Sequence, residues 1–290
     1  MKGTKFISLL LLISISSVCL GQSNVQSSLT LSSSEHPISQ FIIDEKLLPE
    51  DAENLIFTEE FDRIIEQLER IQTRKKSNVA FIRSIFYRVH KNILVDYKQM
   101  ATMNETLKTG QFGCLTGTAL YALILEHFGF EYEIIELTNH VYVQVEVDGR
   151  LMVMESTLPE EGLINVGKEI MPNSEQEGLD PRNIRALTTV GGGSDEWDLV
   201  QGFNKITLKE LSGLQYFNES VKLYKEERFT EAMEMINVAY DRYPSKRNEK
   251  LMQLVINKIL KYDLIKEEVK NKYLTQYVKL VKRQKLSQTK

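Results

Sequence analysis

The sequence predicts an α+β fold, a helix packed on an antiparallel sheet, followed by an all-α C-terminal region. Three observations predict it. Residues 114–127 (CLTGTALYALILEH) are almost continuously apolar and about one buried helix long. Directly after them, across 131–157, the hydrophobic period changes from 3.6 to 2. From Thr207 to the end the period is helical again. Helical segments followed by a meander of strands fit helix-on-sheet layers.

Taken in order, residues 1–21 are expected to be a secretory signal peptide: Lys2 and Lys5 precede an apolar, serine-diluted run, with small residues at Cys19 and Gly21. Cleavage after Gly21 would take the formal charge from −4 to −6 and place the protein in the periplasm or outside the cell. Lipidation of Cys19 is the weaker alternative, because Val18 is bulkier than a lipobox prefers. Residues 22–57 begin with a Ser/Gln/Thr-rich stretch and read as a flexible arm. Residues 58–170 form the first domain. Helical spacing runs from Thr58 to about Lys76 and from Asn78 to about Tyr97, then a polar stretch ends at Gly110. The apolar helix follows, stopped by Phe128-Gly129 with glycine at C′. Strands are expected at 131–137, 140–147 and 150–157, the last two joined by Asp148-Gly149, a strong hairpin signal. Residues 171–206 read as an irregular connection. Its Gly191-Gly192-Gly193-Ser194 is not a phosphate loop, because no lysine and helix follow in register.

Hydrophobic residues are 42% of the chain and charged residues 26%. This excludes a wholly disordered, collagen-like or multi-span membrane protein. Two cysteines exclude a disulfide scaffold.

Export would leave Cys114 as the sole cysteine, in an oxidising compartment where an unpaired thiol invites oxidation. Cys114 opens the apolar helix, where backbone N–H groups stabilise a thiolate. A two-residue turn at Asp148-Gly149 makes Val147 face Arg150 and His140 face Thr157, with Glu155 one diagonal step from His140 on the same face. Val141, Val143, Val145, Val147, Met152 and Met154 then fill the opposite, core face. An imidazole beside a thiolate, held by a carboxylate beyond it, is the logic of a Cys-His-carboxylate triad. Gly117, one turn into the helix, leaves room for the strand bearing His140. The candidate catalytic residues are thus Cys114, His140 and Glu155. His127 is expected to meet the dipole at its helix end. His36 and His90 have no partner at ligand spacing, no His pair occurs at i, i+4, and one cysteine cannot build a thiolate zinc site. The expectation is therefore no cofactor and no metal.

The segments GQFGCLTGTALYALILEHFGFEYEII and NHVYVQVEVDGRLMVMEST resemble the transglutaminase-like superfamily of papain-type thiol enzymes. The family's pattern is Gly-x-Cys opening an apolar helix, His followed two residues on by an aromatic, and an Asp-x-Thr closing the next strand. Cys114, His140, Tyr142 and Glu155-Ser156-Thr157 fall on those positions, over about residues 78–160. The resemblance implies peptidase or amide-processing chemistry on a peptide or protein substrate. Two departures stand: glutamate replaces the usual aspartate at 155, and no tryptophan precedes Cys114 as an oxyanion donor, leaving Gln111 as the nearby polar candidate.

Residues 207–290 are helical, and Tyr216–Pro244 resembles one tetratricopeptide unit through Ala232, Ala239, Tyr216, Tyr224, Phe229 and Pro244. One unit cannot bury its own faces, so it is expected to pack on the first domain or on the later helices, and to offer a surface to a protein partner. Residues 245–290 carry a net charge of +9. The lysines alternate with apolar faces and read as their solvated side, so neither nucleic acid nor membrane is an expected partner and no segment is expected to span a bilayer. Asn104-Glu-Thr and Asn218-Glu-Ser fit glycosylation acceptors. The first functional expectation is an exported thiol enzyme acting on peptide or amide bonds. The alternative is a non-catalytic cell-envelope binding or scaffold protein with a degenerate domain of the same fold.

Overall fold

A computed structural model describes residues 36–43, 54–166 and 204–288 of the chain. The Asp148-Gly149 turn organises its sheet. Both residues have positive φ, 52° and 69°, as a type I′ turn requires. The turn joins β4 (Val141–Val147) to β5 (Arg150–Met154), and Val147 pairs with Arg150 through to Val143 with Met154, the expected register. β3 (Tyr132–Glu136) pairs antiparallel with β4.

Two further strands complete the sheet, one after the last expected strand of the first domain and one at the end of the expected irregular connection. β6 (Leu163–Val166) pairs with β5, and β7 (Asn204–Ile206) pairs with β3, giving the order β6-β5-β4-β3-β7, all antiparallel. The third strand stops at Met154, earlier than its apolar pattern suggests. Glu155 N–H turns to the Gly162 carbonyl at 2.8 Å. A Cβ on Gly162 would lie 2.1 Å from the Glu155 carbonyl oxygen, so only glycine lets the loop fold back this tightly. The glycine-serine run at 191–194 lies outside the described residues, as does the whole of 1–21.

Four helices precede or cover this sheet. α1 is Asn54–Gln72 and α2 is Asn78–Asn92. α2 ends five residues before the expected boundary. Val95 and Asp96 N–H both go to the Gly110 carbonyl, and β1 (Asp96–Tyr97) pairs in parallel with β2 (Gln111–Phe112). The polar stretch between them contains a short helix, α3 (Met103–Thr109), with Thr102 and Glu105 forming a capping box. α4 (Cys114–His127) is the expected apolar helix, and Leu115 to Leu125 are buried without interruption. Gly129, at φ 72°, follows its C-cap. The C-terminal region folds as α5 (Leu208–Lys225), α6 (Phe229–Arg242), α7 (Lys246–Lys261) and α8 (Glu267–Gln288).

The fold is thus mixed helix and antiparallel sheet. The main core lies between α4, α2, α1 and the sheet face carrying Val141, Val143, Val145, Val147, Met152 and Met154, and it takes in Leu211 and Leu214 of α5. A second core joins α5, α6, α7 and α8. The other sheet face is not purely polar: Ile135, Leu137, Tyr142, Val153 and Val166 form a third cluster there. Part of the expected arm is also structured. Pro37–Phe41 is a short 3-10 helix whose Ile38 and Phe41 are fully buried. Asn104 is buried and bonded to both backbone groups of Ile43, so the glycosylation reading fails at that position. Among the described residues, no helix is long and apolar enough to cross a membrane.

Gly117 is a contact glycine, though its neighbour differs from the one expected. A Cβ there would lie 2.4 Å from Ser156 Cβ, on the loop after β5, not on the strand of His140. Gly117→Ala is expected to destabilise by about 1–3 kcal/mol through overpacking, read as a lower urea midpoint. Adding Ser156→Gly should recover most of the loss, and an unchanged midpoint in the single variant would contradict the contact.

Candidate active site

Cys114 is the first residue of α4 and is half-buried. Gly113 precedes it in extended conformation, and its N–H donates to Thr116 Oγ1 at 3.1 Å. The first helical turn leaves backbone N–H groups without carbonyl partners, so this end of α4 presents donors beside the sulfur. Two contacts fix that turn on the sheet. Thr118 Oγ1 donates to the Val141 carbonyl at 3.1 Å, next to His140, and Gly117 rests on Ser156.

His140 lies at the end of the β3–β4 turn, and its side chain is 13% exposed. Its Nε2 meets Glu155 Oε2 at 2.5 Å, and the ring also hydrogen-bonds the Cys114 side chain. All three expected residues therefore meet in one chain of contacts. Burial alone would lower the His140 pKa. The hydrogen bonds and charges of Cys114 and Glu155 outweigh it and raise the value from 6.5 to about 10.

Glu155 is 1% exposed and its other oxygen is fully engaged: Oε1 accepts from Thr157 N–H at 2.8 Å and from Thr157 Oγ1 at 2.6 Å. A buried carboxylate without such partners would be costly. Because the β4–β5 ladder ends at Val143 and Met154, the expected pairing of His140 with Thr157 is not made, and Glu155 is carried by the loop and not by the strand. The longer reach of glutamate spans the diagonal.

Tyr142 lies alongside His140, with ring centroids 6.4 Å apart. Burial and the charge of Glu155 push its pKa up to about 12. Tyr97 was not expected in the site. It is 41% exposed, and its pKa is raised by burial and then by the charges of Cys114 and Glu155. The pairing of Tyr97 with Phe112, two residues before Cys114, brings it there. Gln111 Oε1 accepts from Lys98 Nζ at 3.4 Å, so the nearby polar candidate is already tied to a lysine.

The remaining histidines stand apart from this chain. His127 Nε2 meets Glu69 Oε1 at 3.1 Å in the last turn of α4, and His36 Nε2 meets Asp62 Oδ1 at 3.0 Å. Comparison of the chain with protein-family models, with curated proteins and with solved structures finds no significant match.

His90 sits behind the site in the aromatic core, 4.9 Å from Phe86 and 5.9 Å from Phe112 between ring centroids. Neither ring nitrogen makes a hydrogen bond of proper geometry among the described residues. Burial lowers its pKa from 6.5 to about 4, against smaller upward pulls from the Leu94 backbone and Glu155. The unfolded chain thus takes up a proton below pH 6.5 that the folded ring refuses, so stability falls as pH drops from about 6.5 to about 4. Substituting His90→Phe should flatten this loss. Denaturation curves in that window whose pH slopes match in wild type and variant would contradict the assignment.

Proposed function

We propose that the protein is an exported thiol enzyme of transglutaminase-like type that acts on peptide or amide bonds through Cys114, His140 and Glu155. One observation carries the reading: the side chain of a half-buried cysteine at a helix start hydrogen-bonds an imidazole whose Nε2 is held by a buried, fully bonded carboxylate. The sequence resemblance supports the same assignment, and the leader-like residues 1–21 support export.

The Cys114 thiolate attacks the carbonyl carbon, and a C–S bond forms as the carbonyl π electrons move to oxygen. N–H groups at the start of α4 receive that oxyanion. His140, protonated across neutral pH, gives its proton to the departing amine as the C–N bond breaks. Water or a second amine, losing a proton to His140, then attacks the thioester, and the C–S bond breaks to regenerate the thiolate. Glu155 keeps the ring turned toward the sulfur throughout. The helical region supports a tetratricopeptide-like reading through its small residues at the α5–α6 crossing: Ala232 and Ala239 are fully buried, and a Cβ on Gly213 would meet the Ala239 carbonyl at 3.1 Å.

Intact-mass measurement of iodoacetamide labelling across pH tests the reading. Cys114 should label at about pH 6.5 at a rate a free thiol reaches only near its own pKa of about 8.5. His140→Ala should remove that advantage, and turnover of a casein or amine-transfer substrate should fall by about 10²–10⁴-fold. Glu155→Gln should lose less. A Cys114 that behaves as an ordinary thiol, with no amide turnover, would favour the scaffold alternative.

A further inference from the structure

The turn that delivers His140 is held from the helical layer. Glu136, the last residue of β3, is fully buried. Its Oε2 accepts from Tyr243 Oη at 2.7 Å and from Asn204 Nδ2 at 3.4 Å, while Arg247 of α7 meets Oε1 at 3.2 Å. Arg247 is 8% exposed, and its guanidinium carbon lies 5.5 Å from the Phe217 ring centroid. The ion pair is not bidentate: Glu136 Oε1 and Arg247 Nε make no hydrogen bond among the described residues. The hydrogen bond Arg247 does make runs from Nη2 to the Thr138 carbonyl, at 3.0 Å. Thr138 lies inside the turn from Leu137 to His140, which the Leu137 N–H closes on the His140 carbonyl at 2.8 Å.

Desolvating a guanidinium is costly, and a buried ion pair short of good geometry is weak evidence for stability. What the planar fork of arginine offers here is reach to two partners at once, a strand end and a turn carbonyl. We propose that Arg247 is a positioning residue for the thiol site: by holding the Glu136 carboxylate and the Thr138 carbonyl together, it fixes the turn from which His140 reaches Cys114 and Glu155. The inference rests on the Cys114–His140–Glu155 reading and makes the helical layer a working part of that site. The groups facing His140 are Cys114 from α4, Glu155 from the loop after β5, and Tyr142 from the strand that follows it. The polar contacts of Arg247 go to Glu136 and Thr138, so its influence passes through the turn.

The test uses the full chain as wild type, Arg247→Met and Arg247→Lys. Iodoacetamide labelling of Cys114 is followed from about pH 5.5 to 10, and His140 protonation is followed by NMR. In Arg247→Met the labelling rate at about pH 6.5 should fall by about tenfold, the alkaline rate should be retained, and the His140 midpoint should drop by about one pH unit. Arg247→Lys, which keeps the charge but not the fork, should lie between. A purely structural role would lower the melting temperature without moving the His140 midpoint. Superimposable pH profiles with an unmoved midpoint in folded Arg247→Met would overturn the proposal. If that variant does not fold, Glu136→Gln, which preserves the local shape, carries the test with the same two outcomes. A wild-type Cys114 no more reactive than a free thiol would remove the thiol-enzyme reading instead, and the His140 midpoint would still decide whether Arg247 positions the ring.

Discussion

A two-residue turn at Asp148-Gly149 leaves the pairing of β4 with β5 no freedom, and the site inherits its order from that restriction. Side chains alternate across a strand, so a slip of one residue would exchange the core valines with the face that bears Tyr142 and Gln144. It would also carry Glu155 away from the diagonal of His140. The positive φ values at both turn residues and the buried Val141 to Val147 row therefore specify one register from two directions, local backbone conformation and hydrophobic burial. The side chain of Asp148 adds a third tie, accepting from Asn78 Nδ2 at 3.1 Å and anchoring the hairpin to the start of α2.

Placement of α4 on this hairpin is what turns a register into a site. A helix buried on nearly every side has no polar face to orient it, so direction must come from particular contacts. Two of them act within one turn of Cys114. Thr118 bonds the carbonyl beside His140, and Gly117 admits Ser156 where any side chain would collide. Between them they hold the first turn of α4 against the segments that carry His140 and Glu155.

Much of this was legible in the sequence because it follows from short-range patterns. The period change at 131, the turn signal and the register of β4 with β5 all depend on residues close in the chain. What escaped depends on contacts distant in sequence or on irregular backbone. The apolar run Arg150–Met154 gives no sign that the strand stops before Glu155; the stop comes from the carbonyl of Gly162, in a segment with little periodicity. Thr102 and Glu105 do form a readable capping box, but a seven-residue helix leaves too few turns to impose a hydrophobic period. Tyr97 reaches the site through a two-residue parallel pairing that no local pattern announces. Ile38 and Phe41, an i, i+3 apolar pair behind Pro37, are the visible trace of a short helix inside the expected arm.

Two buried glutamates, Glu155 and Glu136, separate the roles of the sheet's ends. Glu155 has each of its oxygens satisfied by close partners, two of the three contacts coming from a residue two positions away, so its orientation is set locally. Glu136 is different: its partners come from Asn204, Tyr243 and Arg247, all far along the chain. Burying such a carboxylate is tolerable only when those distant groups are in place. The strand that leads into the His140 turn therefore acquires its final environment only once the helical layer has docked. Leu211 and Leu214 add the same dependence through the main core. The carboxylate that orients the imidazole is thus supplied from nearby sequence, while the turn that carries the imidazole is secured from the opposite end of the fold.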